Sequence, residues 1–368
     1  MSKPVTLVAV GDLQLGDSPT SVGYGFFSRY SGVPIDDLLA AMRPALDAAD
    51  ILFGNLETTL LAPPVGETRR SALQLRGEPG YADALRRAGF TVLNVANNHA
   101  VQHGEDSFQS TVTTLRSAGI ACCGVRGRAP WASEPVLLRP RDATIGVLGY
   151  CLRPRQYGSD LPPYAEGSLE DICADVKRLR EMGATVIVSL HWGEEFVAEP
   201  SHDEIAMAHA IVEAGASVIL GHHPHVTRPV ERYGTGVIAY SLGNFMGDMV
   251  WYEPFRRGAV LCCRLSGNHV IDASTIATRL GDDYRPVPAP HDSISLLAAP
   301  PRGLESAAYQ RAIAVTLRRQ RLASYRAAVF NLSRTPFPII AQLAMQTLRN
   351  KLDAIGTRIT ASVHHEER

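Results

Sequence analysis

Gly221-His222-His223-Pro224-His225, directly after the apolar run Ala216-Ser217-Val218-Ile219-Leu220, decides how this chain of 368 residues is read. The run describes a buried strand, and Pro224, which has no amide hydrogen, ends its ladder. His223 and His225 therefore fall in a turn at the carboxyl edge of a sheet. Neutral imidazole is a common ligand for zinc, manganese or iron, and histidines at i and i+2 can face one or two ions. A solvated histidine cluster is the plain alternative, and it loses weight because similar polar clusters recur along the chain.

Working outward, the same motif of strand and polar end appears on both sides. Val5-Thr6-Leu7-Val8-Ala9-Val10 stops at Gly11-Asp12, and Ile51-Leu52-Phe53 at Gly54-Asn55-Leu56-Glu57. Thr91-Val92-Leu93-Asn94-Val95 leads to Ala96-Asn97-Asn98-His99, and Thr185-Val186-Ile187-Val188-Ser189-Leu190 to His191-Trp192-Gly193-Glu194-Glu195. Gly236-Val237-Ile238-Ala239-Tyr240-Ser241 runs into Leu242-Gly243-Asn244-Phe245. Helical spacing over 34–49, 107–118, 169–182 and 203–214 separates these strands. Repeated strand, polar end and helix predict an α/β fold with ligands gathered outside the carboxyl ends of the strands. Strands at 259–265 and 270–278 follow one another without a helix, which predicts an antiparallel portion. Residues 13–32, with Tyr24, Phe26, Phe27 and Tyr30, read equally as a substrate-facing lid or as a packed surface loop.

The net charge of −1 and the hydrophobic fraction of 45% describe an ordinary globular chain with no nucleic-acid signature. No apolar run is long enough to span a membrane, and no charged segment followed by an apolar one opens the chain. A cytoplasmic location is the expectation. Six cysteines, two pairs of them adjacent and none in a CxxC spacing, read as reduced thiols. From Arg302 onward 11 Arg/Lys stand against 4 Asp/Glu, on helical spacing over 304–328 and 338–363. The chain divides into a catalytic domain at 1–290 and a basic, helical extension at 291–368. The extension's expected role is packing on the core, with dimerisation or a basic face for a peptide or membrane surface as alternatives. Oligomeric state has no signature in the sequence.

Five strand ends thus offer Asp12, Glu57, Asn98-His99, His191 and His223/His225. Oxygen and nitrogen donors without thiolate suit manganese, iron or zinc, and their number favours two divalent ions with a carboxylate between them. Paired ions hold an oxyanion and activate water.

Gly11-Asp12, Asn55-Leu56-Glu57, Asn97-Asn98-His99, His191-Trp192-Gly193, Gly221-His222-His223-Pro224-His225 and Ser241-Leu242-Gly243-Asn244, in this order, resemble the CapA family. This is the poly-γ-glutamate capsule-synthesis type of the calcineurin-like metallophosphoesterases. The resemblance spans roughly residues 4–285. It implies an α/β fold of the superfamily's four-layer α/β/β/α sandwich type with a dinuclear metal centre. It also implies that Asp12 and His225 bind one ion, that Asn98, His191 and His223 bind the other, and that Glu57 bridges both. By the same resemblance His99 is expected beside the centre as acid/base or oxyanion donor. The phosphoesterases of the superfamily carry Asp-x-His where this chain has Asp12-Leu13-Gln14, and usually a bridging aspartate where it has Glu57. Phosphomonoester hydrolysis is therefore not inherited with the fold.

Capsule-type members of the family work at the cell surface, whereas this chain carries no anchor-like run. The resemblance also reaches the lasso-peptide epimerase branch, which inverts the α-carbon of a precursor peptide's C-terminal residue. Two ions suit that chemistry by holding the carboxylate and stabilising the charge left when the α-proton departs. His99 is one acid/base candidate, and Glu195, His222, Cys151 or His291 the other. Gln14, Asn55, Asn97, Trp192 and Asn244 are candidate substrate contacts. The aromatic loop, Trp192 and Trp251 are candidates to receive an apolar side chain, and the basic tail to hold an acidic leader segment. Peptide epimerisation is the first expectation. A metallohydrolase of phosphoester, peptide or γ-glutamyl amide bonds is the alternative, and a non-catalytic capsule-assembly or scaffold protein the second.

Overall fold

The computed structural model describes residues 3–158, 160–292 and 296–345. Strands and helices are numbered in chain order. The first sheet contains β1 (Val5–Leu13), β2 (Ile51–Leu56), β5 (Val92–Asn94), β6 (Ala121–Cys123), β13 (Asn244–Met246), β14 (Arg257–Ser266), β15 (His269–Leu280) and β16 (Pro286–Pro288). Its order is β16-β15-β14-β1-β2-β5-β6, with β13 alongside the far end of β1. The second contains β7 (Val136–Leu138), β8 (Ile145–Cys151), β9 (Thr185–His191), β10 (Ala216–His222), β11 (Val230–Tyr233), β12 (Gly236–Ala239) and β17 (Leu296–Leu297). Its order is β17-β11-β12-β10-β9-β8-β7. A separate ribbon pairs β3 (Thr59–Leu60) with β4 (Arg76–Gly77).

The central strands β1, β2, β5 and β6 run parallel, as do β8, β9, β10 and β12. The marginal strands β14, β15 and β16 join antiparallel, as the closely spaced late strands predict.

Alternation along each strand sorts side chains into three apolar layers. Leu7, Ala9, Phe53 and Val92 of the first sheet meet Ile187, Val218, Leu220 and Val237 of the second. Outward-facing Val8, Val10, Leu52 and Leu93 lie under α1 (Phe26–Tyr30), α2 (Arg43–Leu46), α4 (Tyr81–Arg87) and α5 (Glu105–Ser117). The short α3 (Arg70–Leu73) lies outside this layer. Val186, Val188 and Ile219 lie under α6 (Leu169–Glu181) and α7 (His202–Glu213), through Ile172, Val176, Leu179, Ala208 and Ile211. Each fully buried aliphatic side chain stabilises the fold by roughly 1.5–3 kcal/mol. The result is the four-layer α/β/β/α sandwich. α6 and α7 begin at Ser168 and Ser201, whose hydroxyls accept from the backbone of Asp171 and Glu204 while those carboxylates return the bond.

The helix expected over 34–49 is interrupted. A 3-10 segment at Asp36–Met42 precedes α2, because Pro44 has no amide hydrogen to offer the carbonyl four residues back. The loop at 13–32 is mostly packed: Phe26 and Tyr30 are buried in the first outer core, and Tyr24 is half-buried. In the extension, α8 (Ser306–Phe330) buries only Tyr309, and a further helix is described over 337–345. The remainder of the second predicted basic helix lies outside the described residues. All six cysteines are unpaired.

Candidate metal centre

At the carboxyl end of the parallel strands the inter-sheet layer turns from apolar to polar at one register level. Asn244, Asp12, Asn55 and Asn94 are successive partners across β13, β1, β2 and β5. Cys151, His191 and His222 are partners across β8, β9 and β10. Regular alternation from Phe53 turns Asn55 and then Glu57 inward, and Val92 does the same for Asn94. Asp12 needs more. Val10 faces outward, and alternation alone would send Asp12 outward with it. A register shift between Ala9 and Asp12 reverses the parity and turns the carboxylate into the cleft. At that shift a Cβ on Gly11 would stand 2.0 Å from the Gly243 carbonyl oxygen, so only glycine fits.

The cleft joins carboxylates of one sheet to imidazoles of the other. Asp12 Oδ1 accepts from Asn55 Nδ2 at 2.8 Å, and Asn55 Oδ1 accepts from Asn94 Nδ2 at 2.8 Å. His225 Nδ1 lies 3.3 Å from Asp12 Oδ2, and His225 Nε2 lies 3.8 Å from Glu57 Oε1. His191 Nε2 stands 2.8 Å from Asn98 Oδ1 and 3.7 Å from Glu57 Oε1. Ligand-type atoms of Glu57, His191 and His223 lie within 4.8 Å of one another, and so do those of Asp12, Glu57 and His225. Glu57 belongs to both groups. A third group joins Glu195 to His223 and His225. His223 and His225 are held at φ of 94° and 56°. Left-handed backbone costs a non-glycine residue about 1–3 kcal/mol, and such strain gathers at functional sites.

Polar atoms left without partners test whether these residues suit divalent ions. Both ring nitrogens of His222 and of His223, together with Glu57 Oε1 and Gln14 Oε1, are buried without a hydrogen bond. Each such group costs about 1–3 kcal/mol when nothing meets it. A cluster of unmet nitrogen and oxygen donors, with no thiolate among them, fits zinc, manganese or iron.

Charge is arranged to the same end. Burial works against ionising Asp12, yet the neighbouring imidazoles of His222 and His225 hold its pKa well below the usual range. Burial pushes Glu57 up, with His225 opposing and Asp12 adding to the rise. Burial keeps His191 and His223 neutral, the ligand form of imidazole. For His225 burial is overcome by the carboxylates of Glu57 and Asp12, which raise its pKa. Outside the three ligand groups, burial lowers His99 to about 4.

The remaining candidates divide. Gln14 Nε2 donates to Glu57 Oε2 at 3.3 Å, and Asn244 Oδ1 lies 3.0 Å from His225 Nδ1. Asn55, Gln14 and Asn244 therefore hold ligand-type side chains in place. Asn97 donates to the Leu56 carbonyl and accepts from the His99 amide, so it braces the loop rather than facing a substrate. His222 is buried, 3.3 Å from Asp12 Oδ1 and packed on Phe53. His99 is half-buried, with Nδ1 2.7 Å from Gln102 Oε1.

Three expectations are corrected. Trp192 follows inward-facing His191, so alternation sends it to the outer face, where it is buried, stacks on Tyr240 and donates to the Tyr240 carbonyl. Cys151 shares the register level, but burial raises its thiol to about 12, and a group that keeps its proton at neutral pH is a poor base. His291 is exposed beyond the edge strand β16 and belongs to none of the ligand groups.

Sequence reasoning missed Asn94, although a polar residue at an inward position of an apolar strand is a usable signal. Gly124 and Gly149 make room for it, since a Cβ on either would come within 2.6 Å and 2.3 Å of Asn94 Oδ1. It also missed the buried carboxylates of Asp17, bonded within its own loop, and of Asp248, whose partners lie far along the chain. Asp248 accepts from Ser18 N and Ser21 Oγ across more than 220 residues.

The family model described as "Bacterial capsule synthesis protein PGA_cap" matches residues 6–249. The capsule biosynthesis protein CapA of Bacillus anthracis is 28% identical over 259 residues, covering 68% of this chain and 61% of that protein. The PGA biosynthesis protein CapA of Bacillus subtilis (strain 168) is 28% identical over 246 residues, covering 66% and 63%. The match thus spans about three-fifths of the length of these curated relatives. Among solved structures, the 5′-nucleotidase from Candida albicans SC5314 matches 77% of this chain and 52% of its own, with 10% identity and a TM-score of 0.43. Among the described residues no helix is long and apolar enough to cross a membrane.

Proposed function

The chain belongs to the bacterial capsule synthesis protein PGA_cap family, and from that premise we propose that it is a metal-dependent enzyme that epimerises the C-terminal residue of a precursor peptide. The observation that carries the metal reading is Glu57, shared by two groups of ligand-type side chains. Asp12 and His225 would serve one ion, and Asn98, His191 and His223 the other, with Glu57 between them. Two divalent ions, of manganese, zinc or iron, would supply the positive charge that neutralises a substrate carboxylate. Catalysis falls to residues 1–290, and 291–368 to an accessory role.

Epimerisation needs a proton removed from one side of a carbon and returned from the other. His99 follows β5 of the first sheet and Glu195 follows β9 of the second, so the two candidate groups come from different sheets. With its pKa lowered to about 4, His99 is neutral at pH 7 and free to accept a proton. Its Nδ1 is engaged by Gln102, which leaves Nε2 for the substrate. Glu195 is half-buried beside His223 and His225 and supplies the second group.

Hydrolysis of an amide, including a γ-glutamyl amide, is the second reading. It is favoured by a relative named for PGA biosynthesis at 28% identity. In it Glu195 takes the proton of an attacking water. Incubation of manganese-loaded protein with candidate precursor peptides in D₂O separates the two. Deuterium at the C-terminal α-carbon with appearance of the D-residue is the expected result. Cleavage without α-exchange would replace epimerisation by hydrolysis.

A further inference from the structure

A cavity of about 800 Å³ opens between α8 and the segments around Tyr24, Asp248–Arg256 and Asp282–Tyr284. Arg319, Leu322, Ala323, Arg326, Ala327 and Phe330 of α8 line it at i, i+3, i+4 spacing, so one face of the helix is turned to it. All lining residues except Ser21, Tyr24 and Asp248 lie beyond the family match at 6–249. The extension thus supplies about half of the cavity's wall, and residues 250–284 most of the rest.

Its wall carries unmet polar groups. Asp248 is 1% exposed; its Oδ2 accepts from Ser18 N, Ser21 Oγ and Phe26 N, whereas its Oδ1 has no partner. The indole Nε1 of Trp251 is likewise buried without a partner. Arg256 is engaged by Asp282 at 2.7 Å, but Arg319, Arg326 and Arg334 meet no carboxylate among the described residues. Tyr24, Trp251, Tyr252 and Tyr284 supply an aromatic surface between these charges.

We propose that this cavity binds an acidic peptide segment that carries an apolar side chain. Guanidinium groups pair with carboxylates through two parallel hydrogen bonds, and the aromatic wall takes the apolar side chain. Asp248 Oδ1 accepts a peptide N–H, and Trp251 Nε1 donates to a peptide carbonyl. A phosphodiester chain fits less well, because its backbone has no N–H to offer the unpartnered Asp248 Oδ1. Asp248 lies four residues beyond Asn244, so at no more than about 3.3 Å per residue the cavity begins within roughly 13 Å of the metal-site row. A peptide of a few residues reaches from one to the other. The inference deepens the peptide reading and rests on it for the nature of the chain, but it is tested by binding without turnover.

The test uses the full chain and a fluorescein-labelled decapeptide of Glu, Gly and Phe, followed by anisotropy. The same peptide with Gln for Glu, and a thymidine decanucleotide, serve as comparisons. The acidic peptide should bind, with the Gln version and the Arg326→Gln/Arg334→Gln protein each weaker by roughly tenfold. Both arginines are exposed, so the variant keeps its fold. The peptide carries a C-terminal amide and so offers the metal site no terminal carboxylate, which keeps this outcome separate from the fate of the metal reading. Equal binding of acidic and Gln peptides, an unaffected double variant or no binding at all would overturn the proposal. Tighter binding of the oligonucleotide would overturn it in favour of nucleic acid.

Discussion

The two sheets contribute opposite chemistry to the cleft. The first brings Asp12, Glu57 and the amides of Asn55, Asn94 and Asn98, whereas the second brings His191, His222, His223 and His225. The two groups that share Glu57 arise only where the sheets face each other, whereas Glu195, His223 and His225 all follow strands of the second sheet. The loops above them are braced by opposite charges as well. On the first sheet Asp17 and Asp248 gather backbone N–H groups of segment 18–28, for example Gly23 N at 2.8 Å and Ser28 N at 2.9 Å on Asp17. On the second, buried Arg228 donates to the Val197 carbonyl at 2.8 Å, Glu204 at 2.8 Å and Tyr309 Oη at 3.1 Å. Only the closed sandwich brings Glu57 to His191, His223 and His225.

Removing the shared carboxylate is the hardest blow to this pairing. Glu57→Gln should lower metal affinity and turnover by roughly 100-fold or more, read as metal per chain after dialysis and as α-proton exchange. Retention of both ions would break the idea that one carboxylate serves both groups. His191→Ala and His225→Ala each strip one group, so each should leave about one ion of two. Loss of both in either variant would mean that the groups are not separable. Tyr309→Phe removes the acceptor of Arg228 and the Glu194 amide, which donates to it at 3.1 Å. The expected loss is about 1–2 kcal/mol in urea unfolding. An unchanged midpoint would show that the second-sheet brace does not depend on α8.

The smallest effect belongs to the first-sheet brace. Burial and the nearby charge of Asp17 raise Asp248 to about 6, above its ordinary 3.8. The folded protein then binds the extra proton between these values, so stability declines as pH rises from about 4 to 6 and levels above. Asp248→Asn should abolish that decline, a difference on the order of 1 kcal/mol between pH 4 and pH 7. Parallel melting curves of the two proteins across that range would refute the assignment.

Much of the site was legible because strand ends are punctuated. Asp12, Glu57, Asn98, His191, His223 and His225 each follow an apolar run closely, and the structure brings all six into the cleft. Parity explains the misses. Trp192 sits one residue past His191 and so points the other way, and Asn94 hides inside its strand on the inward side. His291, which follows no buried strand, lies at an exposed edge. The α/β pattern, the parallel strands and the antiparallel closing strands were likewise readable from run lengths and helical spacing.

Local rules therefore determined the elements, their polar ends and the residue types on offer, because strand period, proline and glycine act within a few residues. Tertiary structure alone decided which ends meet. The shift that turns Asp12 inward depends on β2 and on the close approach of Gly243, residues 40 to 230 positions away in sequence. The sharing of Glu57 and the cavity under α8 likewise depend on distances between segments that no local pattern encodes.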